Sequence, residues 1–277
     1  MRVTWSRAVP PAATPSLGPV VNVAHRGASA YAPENTLAAV RKAIGRDSDL
    51  VELDVHRSAD GALVLLHDTT LTRTTNVRQV FPHRAPWLVG DFSLPEIRRL
   101  DAGSWKSQDF AGERVPTLAE AIEVLRPSRA GLLLELKAVA LYPGIVPEVV
   151  AALREVPGYV ESATEANRLV VQSFDHGAMW EHKALEPAVP VGLLGTPAPE
   201  RLARLATWAA CVNPSLWSAD AAYVAAVHRH RMGCLVWTVN RASAMRRALQ
   251  MGVDGVITNR PDVLQRVRDG HRGVTQV

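Results

Sequence analysis

Short apolar runs alternate with helical patterns along almost the whole chain of 277 residues. Eight of these runs have the length and composition of buried strands, and each precedes a segment with helical periodicity. The strand candidates are residues 20–24, 50–55, 131–136, 169–173, 189–194, 211–213, 234–239 and 255–258. The helix candidates are residues 36–44, 118–125, 146–156, 176–185, 199–205, 219–231, 242–251 and 261–268. Eight strand-then-helix units predict a single (β/α)8 barrel, with a doubly wound open sheet as the alternative.

A ninth apolar run, residues 62–67, follows the second strand after a short polar link. The link contains Asp60-Gly61, a pair that is typical of tight hairpin turns. Because a link this short cannot carry a parallel crossover, we expect an antiparallel hairpin arm rather than another barrel strand. If the turn is centred between these two residues, cross-strand partners have numbers that sum to 121, which places Asp54 opposite His67.

Three segments fall outside the alternation and define the predicted boundaries. Residues 73–115 are rich in turns and carry scattered aromatic residues, which predicts a packed insertion after strand 2 that lies over the barrel mouth. Such an insertion could act as a lid or as a structural flap. Residues 1–19, with several prolines, predict a flexible N-terminal arm, and residues 269–277 predict a C-terminal tail. The barrel domain is therefore predicted over residues 20–268.

Composition narrows the classes of function. A hydrophobic content of 47% is enough for one large core, and a net charge of +4 suits a small anionic substrate. Because the basic residues are scattered, we expect no nucleic-acid partner. We find no apolar stretch of membrane-spanning or signal-peptide length, so we expect no integral membrane segment and a cytoplasmic location.

Polar residues occur at the carboxyl ends of several predicted strands, where the functional groups of a (β/α)8 barrel collect. Strand side chains repeat every two residues, so Glu52 and Asp54 share one face of their strand, and Glu135 and Lys137 share one face of theirs. Both pairs can therefore point into a single mouth. The other candidates at strand ends are His25, Arg26 and Trp237, with weaker support for Gln172, Ser173 and Asn213.

Three converging carboxylates without cysteine suit one hard divalent cation, Mg²⁺ or Ca²⁺, because such ions prefer oxygen ligands. These carboxylates belong to Glu52, Asp54 and Glu135. Arg26 offers a planar fork for phosphate oxygens, and Lys137 offers a point charge. This donor set predicts a cation site beside an anion site.

Two histidines can divide proton transfer between them, because the ordinary histidine pKa lies near neutrality. One of His25 and His67 would take a proton from the nucleophile while the other would give one to the leaving alkoxide. Together with a cation site, this arrangement predicts phosphodiester cleavage. Trp237 is expected either in the core or as a wall of the substrate pocket.

Three further residues have simpler expected roles. We expect His56 to point away from Asp54 and to serve packing or solvent contact. Asn35 is expected to cap the helix that begins near residue 36. Glu34 could favour that helix through its dipole or could support the site beside His25.

The order and spacing of the motifs resemble those of the glycerophosphodiester phosphodiesterase family over nearly the whole chain, from about residue 25 to residue 262. The motifs are His25-Arg26-Gly27, Pro33-Glu34-Asn35-Thr36, Glu52-Leu53-Asp54-Val55, Asp60-Gly61, His67-Asp68, Pro116-Thr117-Leu118, Glu135-Leu136-Lys137, Trp237-Thr238-Val239-Asn240 and Asp254-Gly255-Val256-Ile257-Thr258. Each motif alone is weak, and their shared order carries the resemblance.

The resemblance implies a distorted TIM barrel that hydrolyses glycerophosphodiesters, small-molecule substrates, to glycerol 3-phosphate and an alcohol with a divalent cation. It implies that His25 and His67 are the acid/base pair. It also implies that Glu52, Asp54 and Glu135 are the metal ligands, and that Arg26 and Lys137 contact the phosphate.

Two other functions remain open at this point. One is a lysophospholipase D-type activity on the same scaffold, with internal attack of a substrate hydroxyl to give a cyclic phosphate. The other is a non-catalytic phosphodiester-binding protein. The residues leave open the preferred alcohol, the choice between Mg²⁺ and Ca²⁺, the acid and base assignments of the histidines, and the oligomeric state.

Overall fold

The structure, a computed structural model, describes residues 20–274, and the predicted arm at residues 1–19 lies outside this range. Within it, nine strands form one sheet. The strands are β1 Val21–Ala24, β2 Leu50–Arg57, β3 Leu63–Leu65, β4 Gly131–Leu136, β5 Leu169–Ser173, β6 Val191–Leu194, β7 Cys211–Asn213, β8 Gly233–Val236 and β9 Gly255–Thr258. The sheet order is β1-β9-β8-β7-β6-β5-β4-β2-β3, and a further parallel pairing of β1 with β2 closes the sheet. The predicted (β/α)8 barrel is confirmed, and the open-sheet alternative is wrong.

Closure of the barrel is incomplete at the mouth. β1 pairs with β2 only through Leu50 and Val51, at the start of β2. Toward its carboxyl end the same edge of β2 pairs with β3, from Val55 to Arg57. The upper part of the β1–β2 seam is therefore free of ladder bonds, and the loop after β1 reaches it there: the Gly27 N–H donates to the Glu52 carbonyl at 3.2 Å.

Helices connect the strands and cover the barrel. They are α1 Leu37–Ile44, α2 Val77–Val80, α3 Leu94–Ile97, α4 Leu118–Leu125, α5 Ile145–Glu155, α6 Tyr159–Glu165, α7 His176–Leu185, α8 Pro199–Leu205, α9 Ala221–Arg229, α10 Ala242–Gln250 and α11 Pro261–Val274. Helix α11 continues past Asp269, so most of the predicted tail is helical. No helix between residues 20 and 274 combines the length and the apolar character needed to cross a membrane.

The barrel interior is apolar below and polar above. Val23, Leu133, Leu235 and Ile257 are buried in a cluster that fills the lower interior. Neighbouring side chains such as Leu132 point outward and pack in a larger cluster under the helices. Strands buried on both faces read as continuous apolar runs, which is why the sequence marks them clearly. The polar side chains of the upper interior therefore stand on a rigid, packed floor.

The hairpin register differs from the prediction by one residue. Cross-strand partners have numbers that sum to 120, as in Val55 opposite Leu65. Gly61 adopts φ +87°, which belongs to a three-residue hairpin loop with a left-handed last residue rather than to a two-residue turn. Asp54 therefore lies opposite the residue before His67, and the predicted direct pairing of Asp54 with His67 is wrong.

The segment between β3 and α4, which contains the predicted insertion at 73–115, packs around a core of its own. Phe92, Ile97 and Leu100 are fully buried at its centre. The segment also contacts the loop after β1, because the Lys106 ammonium donates to the Ser29 carbonyl at 2.8 Å. Its action as a lid or as a flap stays a prediction.

Candidate active site

Three carboxylates meet at the carboxyl ends of β2 and β4. Asp54 and Glu135 are register partners on these neighbouring parallel strands, and Glu52 lies two residues before Asp54 on the same face. One carboxylate oxygen from each lies within 4.8 Å of those from the other two, and the three residues are between 1% and 7% exposed. The period-two argument therefore placed these side chains correctly.

Positive charge would stabilise this carboxylate cluster, because its members are buried and repel one another. Burial and repulsion from Asp54 raise the pKa of Glu135 to about 7, and burial with the same repulsion raises the pKa of Glu52 well above its ordinary value. Glu52 Oε1 and Asp54 Oδ1 are buried without a hydrogen-bond partner. Unpartnered oxygens at the centre of three acids fit a hard divalent cation, and these residues could hold one.

Two cationic side chains border the cluster. The Lys137 ammonium lies 2.7 Å from Glu135 Oε1 and 3.6 Å from Asp54 Oδ1, and Arg26 Nε lies 3.5 Å from Asp54 Oδ2. Burial lowers the pKa of Lys137, but the neighbouring carboxylates outweigh burial and the pKa is raised. Lys137 therefore stays charged, and it borders the mouth together with Arg26.

A tight loop after β1 aims Arg26 at the cluster. Arg26 itself has φ +54°, and its backbone N–H donates to Glu52 Oε2 at 2.7 Å. Gly27 follows with φ +77°, and a Cβ there would lie 2.6 Å from backbone and side-chain atoms of Ala39. Only glycine fits this close approach to α1, which explains the His-Arg-Gly order locally.

Asn35 supports Asp54 and is not the helix cap. Its Nδ2 donates to Asp54 Oδ2 at 2.8 Å, and the Asp54 backbone N–H donates to Asn35 Oδ1 at 3.1 Å. Helix α1 is instead capped by Thr36, whose hydroxyl accepts from the Ala39 N–H. The predicted cap at Asn35 is therefore wrong by one residue, and the φ of +56° at Asn35 suits its two-sided contact with β2.

His25 follows β1 and contacts a neutral amide. Its Nδ1 lies 2.7 Å from Asn259 Oδ1, which accepts the Nδ1 proton and leaves Nε2 as the free nitrogen. Burial, with the charge of Arg26, lowers the pKa of His25 to about 4. The imidazole is therefore neutral at pH 7. Asn259, which follows β9, was missed as a site residue because the contact joins the two ends of the chain.

His67 follows the hairpin arm and contacts a carboxylate. Its Nδ1 lies 2.7 Å from Asp68 Oδ1, so Nε2 is again the free nitrogen. The Arg73 guanidinium donates to both oxygens of Asp68, at 2.7 and 3.0 Å. These hydrogen bonds, first from Arg73 and then from His67, lower the pKa of Asp68 to about 2.

Glu34 joins this network to Arg26. Its Oε1 accepts from Arg26 at 2.8 Å and from Arg73 at 2.6 Å. Burial raises the pKa of Glu34, but the two guanidinium groups outweigh burial and the pKa is lowered. The structure therefore favours a supporting role at the site for Glu34 over a helix-dipole role. The chain of contacts runs from Arg26 through Glu34, Arg73 and Asp68 to His67.

His56 points toward the site, so its expected orientation away from Asp54 is wrong. The even-numbered residues of β2 share the inner face, and His56 is fully buried there. Its Nδ1 lies 3.0 Å from the Tyr142 hydroxyl, and its Nε2 lies 3.2 Å from the His67 carbonyl oxygen. The same period-two rule that paired Glu52 with Asp54 was the signal that could have placed it.

Trp237 lies just past β8, at the far side of the mouth. Its indole N–H donates to the Asn213 carbonyl at 2.8 Å, and its ring meets Phe174 edge to face at 5.8 Å. Phe174 is 56% exposed, so the ring pair borders solvent. Below it, Asn213 Nδ2 donates to Gln172 Oε1 at 2.7 Å in the barrel interior. Trp237 is thus half-buried at the rim, and its role as a wall of the pocket stays a prediction.

Fold and mouth together define a class of protein: a (β/α)8 barrel whose carboxylate cluster, bordered by cations and imidazoles, suits chemistry on phosphate esters. A model of the glycerophosphoryl diester phosphodiesterase family matches residues 25–263, and the chain belongs to that family. It is an enzyme, a phosphoric diester hydrolase, which goes against the non-catalytic alternative.

Known glycerophosphodiester phosphodiesterases are similar to this chain over most of their length. A glycerophosphodiester phosphodiesterase of Caldanaerobacter subterraneus subsp. tengcongensis is 35% identical, over 87% of this chain and 95% of the relative. One from Bacillus subtilis is 31% identical, over 91% of this chain and 87% of the relative. The solved structure of an Oleispira antarctica phosphodiesterase, in complex with the product sn-glycerol-3-phosphate, superposes with a TM-score of 0.77 at 33% identity, covering 89% of this chain and 96% of that one.

Proposed function

We propose that this enzyme hydrolyses glycerophosphodiesters to glycerol 3-phosphate and an alcohol, with one divalent cation, Mg²⁺ or Ca²⁺, held by Glu52, Asp54 and Glu135. The observation that carries the proposal is the buried cluster of three acids with two unpartnered oxygens. The product bound to the similar Oleispira antarctica phosphodiesterase supports the choice of substrate.

The side chains around the cluster have separate tasks in this proposal. When bound, the cation would offset the carboxylate charge and stabilise negative charge on the phosphoryl oxygens. Arg26 and Lys137 bind the phosphate oxygens and orient the phosphodiester, because both cations border the cluster. Trp237, with Phe174 against it, forms the apolar wall of the pocket.

The two histidines exchange protons with the oxygens that enter and leave. His25 takes a proton at Nε2 from the nucleophile, because burial holds its pKa at about 4 and Asn259 occupies Nδ1. His67 then donates from Nε2 to the leaving alkoxide, with Asp68 fixing the ring through Nδ1. The proposal thereby assigns an acid and a base role to the two histidines, which the sequence leaves open.

The test measures hydrolysis of glycerophosphocholine by the purified enzyme. Chelation with EDTA is expected to abolish turnover, and added Mg²⁺ or Ca²⁺ is expected to restore it. His25→Ala and His67→Ala are each expected to lower kcat at least about a hundredfold, the usual contribution of general acid-base catalysis. Full activity in EDTA, or near-full activity of either variant, would contradict the proposal.

A lysophospholipase D-type activity is the second candidate, and one observation favours it. Phe174 follows β5 and is 56% exposed, and Trp217 on the loop after β7 is 82% exposed, so two exposed apolar rings follow barrel strands at their carboxyl ends, where an acyl chain could bind. Phosphorus NMR of the products from glycerophosphocholine and lysophosphatidylcholine separates the two. Turnover confined to the lipid, or a cyclic phosphate that persists, would favour this second candidate.

A further inference from the structure

His56 contributes a third inward side chain from β2, beyond the two carboxylates. Its imidazole is fully buried, and both ring nitrogens have partners. The His67 carbonyl can only accept, so the proton lies on Nε2 of His56, and Nδ1 accepts from the Tyr142 hydroxyl. A directed chain of hydrogen bonds therefore runs from Tyr142 through His56 to the main chain of His67.

The main chain of His67 needs such support because the strand before it has ended. β3 stops at Leu65, and the Leu66 N–H donates to the Asp54 carbonyl at 3.0 Å. The bond from His56 continues the attachment of this segment to β2 beyond the ladder, at 3.2 Å. The segment thus stays tied to β2 at the level of the carboxylates.

Tyr142 is itself firmly placed. It is 5% exposed, and its ring meets His56 edge to face with centroids 5.5 Å apart. Gly90, from the segment between β3 and α4, packs so closely on the ring that a Cβ there would lie 3.2 Å from it. Burial raises the pKa of Tyr142 to about 12, so the hydroxyl remains a donor.

We propose that His56, held by Tyr142, is a positioning residue that sets the main chain of His67 relative to the carboxylate cluster. Glu52, Asp54 and His56 alternate along one buried strand, so that strand determines both the cation site and the placement of His67. The inference deepens the proposed function and rests on His67 taking part in catalysis. Misplacement of a reacting group by about 1 Å can cost about a hundredfold in rate, which gives this support a measurable effect.

The test compares His56→Leu with His56→Gln, using glycerophosphocholine at saturating divalent cation. His56→Leu removes the donor, and we expect kcat to fall about thirtyfold with KM within about threefold. His56→Gln keeps an N–H that can reach the His67 carbonyl, and we expect a loss of at most about threefold. Tyr142→Phe removes the partner of Nδ1, and we expect a loss of about fivefold in kcat.

Three controls separate positioning from folding. His182→Leu removes another fully buried histidine, whose ring nitrogens lack hydrogen-bond partners in the part of the chain that the structure describes, and should leave kcat unchanged. Cation affinity by calorimetry should be the same in His56→Leu as in the wild type, because the carboxylates are intact. His67→Ala is measured in the same assay to test whether His67 takes part in catalysis at all.

Each outcome decides one question. Near-full activity of His67→Ala overturns the proposed function. An inactive His67→Ala beside a His56→Leu within twofold of the wild type overturns the positioning role alone. The same holds if His56→Gln loses as much kcat as His56→Leu. Should His56→Leu fail to fold, Tyr142→Phe decides: lower kcat at constant KM supports the inference, and unchanged kcat overturns it.

Discussion

The two histidines at the mouth have contrasting surroundings. His25 follows a central barrel strand, and its Nδ1 contacts the neutral amide of Asn259 at 2.7 Å. His67 follows a hairpin arm, its side chain is 32% exposed, and its Nδ1 contacts the carboxylate of Asp68 at the same distance. Arg73, the first residue of the predicted insertion, holds that carboxylate.

The contrast shows that one mouth can give two imidazoles different electrostatic surroundings. A neutral partner in a buried setting does not compensate the desolvation of an imidazolium, so His25 stays neutral. His67 instead lies at the rim with a carboxylate partner. The barrel supplies the first environment, and the segment after the hairpin supplies the second.

Among the variants that test this contrast, the largest effect is expected from giving His25 a charged partner. A carboxylate at Asn259→Asp would stabilise the imidazolium and raise the pKa of His25 by about one to three units. A base works above its pKa, so the acidic limb of kcat/KM should move to higher pH. At pH 5.5 and saturating cation we expect kcat/KM of Asn259→Asp to be about tenfold lower than that of the wild type, measured in a pH profile.

The converse variant is the matched comparison. Asp68→Asn gives His67 a neutral partner of the same shape and should leave the limb that belongs to His25 in place. An unchanged acidic limb in Asn259→Asp would show that His25 is not the base and would remove the contrast between the two histidines.

A smaller effect is expected from the rim network. Arg73→Met removes the cation between Glu34 and Asp68, and we expect kcat to fall about fivefold while KM changes less, because ordering of His67 is weakened. The Arg73 side chain is 43% exposed, so added salt should screen its ion pairs and lower wild-type activity more than that of the variant. Steady-state kinetics at low and high salt make this measurement.

Lys106→Met is the control for this variant. Lys106 lies in the same insertion, but its ammonium donates to the Ser29 carbonyl and not to the rim network. Lys106→Met should therefore show the same salt dependence of activity as the wild type. Equal losses in both variants would mean that the insertion acts by packing and that Arg73 has no specific role at His67.

The sequence predicts the barrel and the carboxylate cluster for the same reason. Both depend on local periodicity: apolar runs mark strands, and period two puts Glu52 and Asp54 on one face. The predicted hairpin register was wrong because the loop has three residues rather than two, with Gly61 in the left-handed region. Composition alone does not distinguish these two loop lengths. Asn259 directly follows the predicted strand 255–258, so the strand-end rule could have made it a candidate, but its contact with His25 exists only once the barrel closes.

The smallest expected effect tests the burial of His25 through stability. Burial puts its pKa at about 4 in the folded protein, against an ordinary value of 6.5. The unfolded chain therefore binds the proton first, and stability present above pH 6.5 is lost as pH falls toward 4. His25→Gln should lessen that loss by about 1 kcal/mol per pH unit, measured by urea unfolding in EDTA between pH 6.5 and 4.5.

His182→Gln is the matched variant. Burial also lowers the pKa of His182 to about 4, so the same change in the pH dependence of stability is expected. If His182→Gln flattens the pH dependence and His25→Gln does not, the pKa of His25 is not lowered in the folded enzyme, and burial beside a neutral amide does not keep this imidazole neutral.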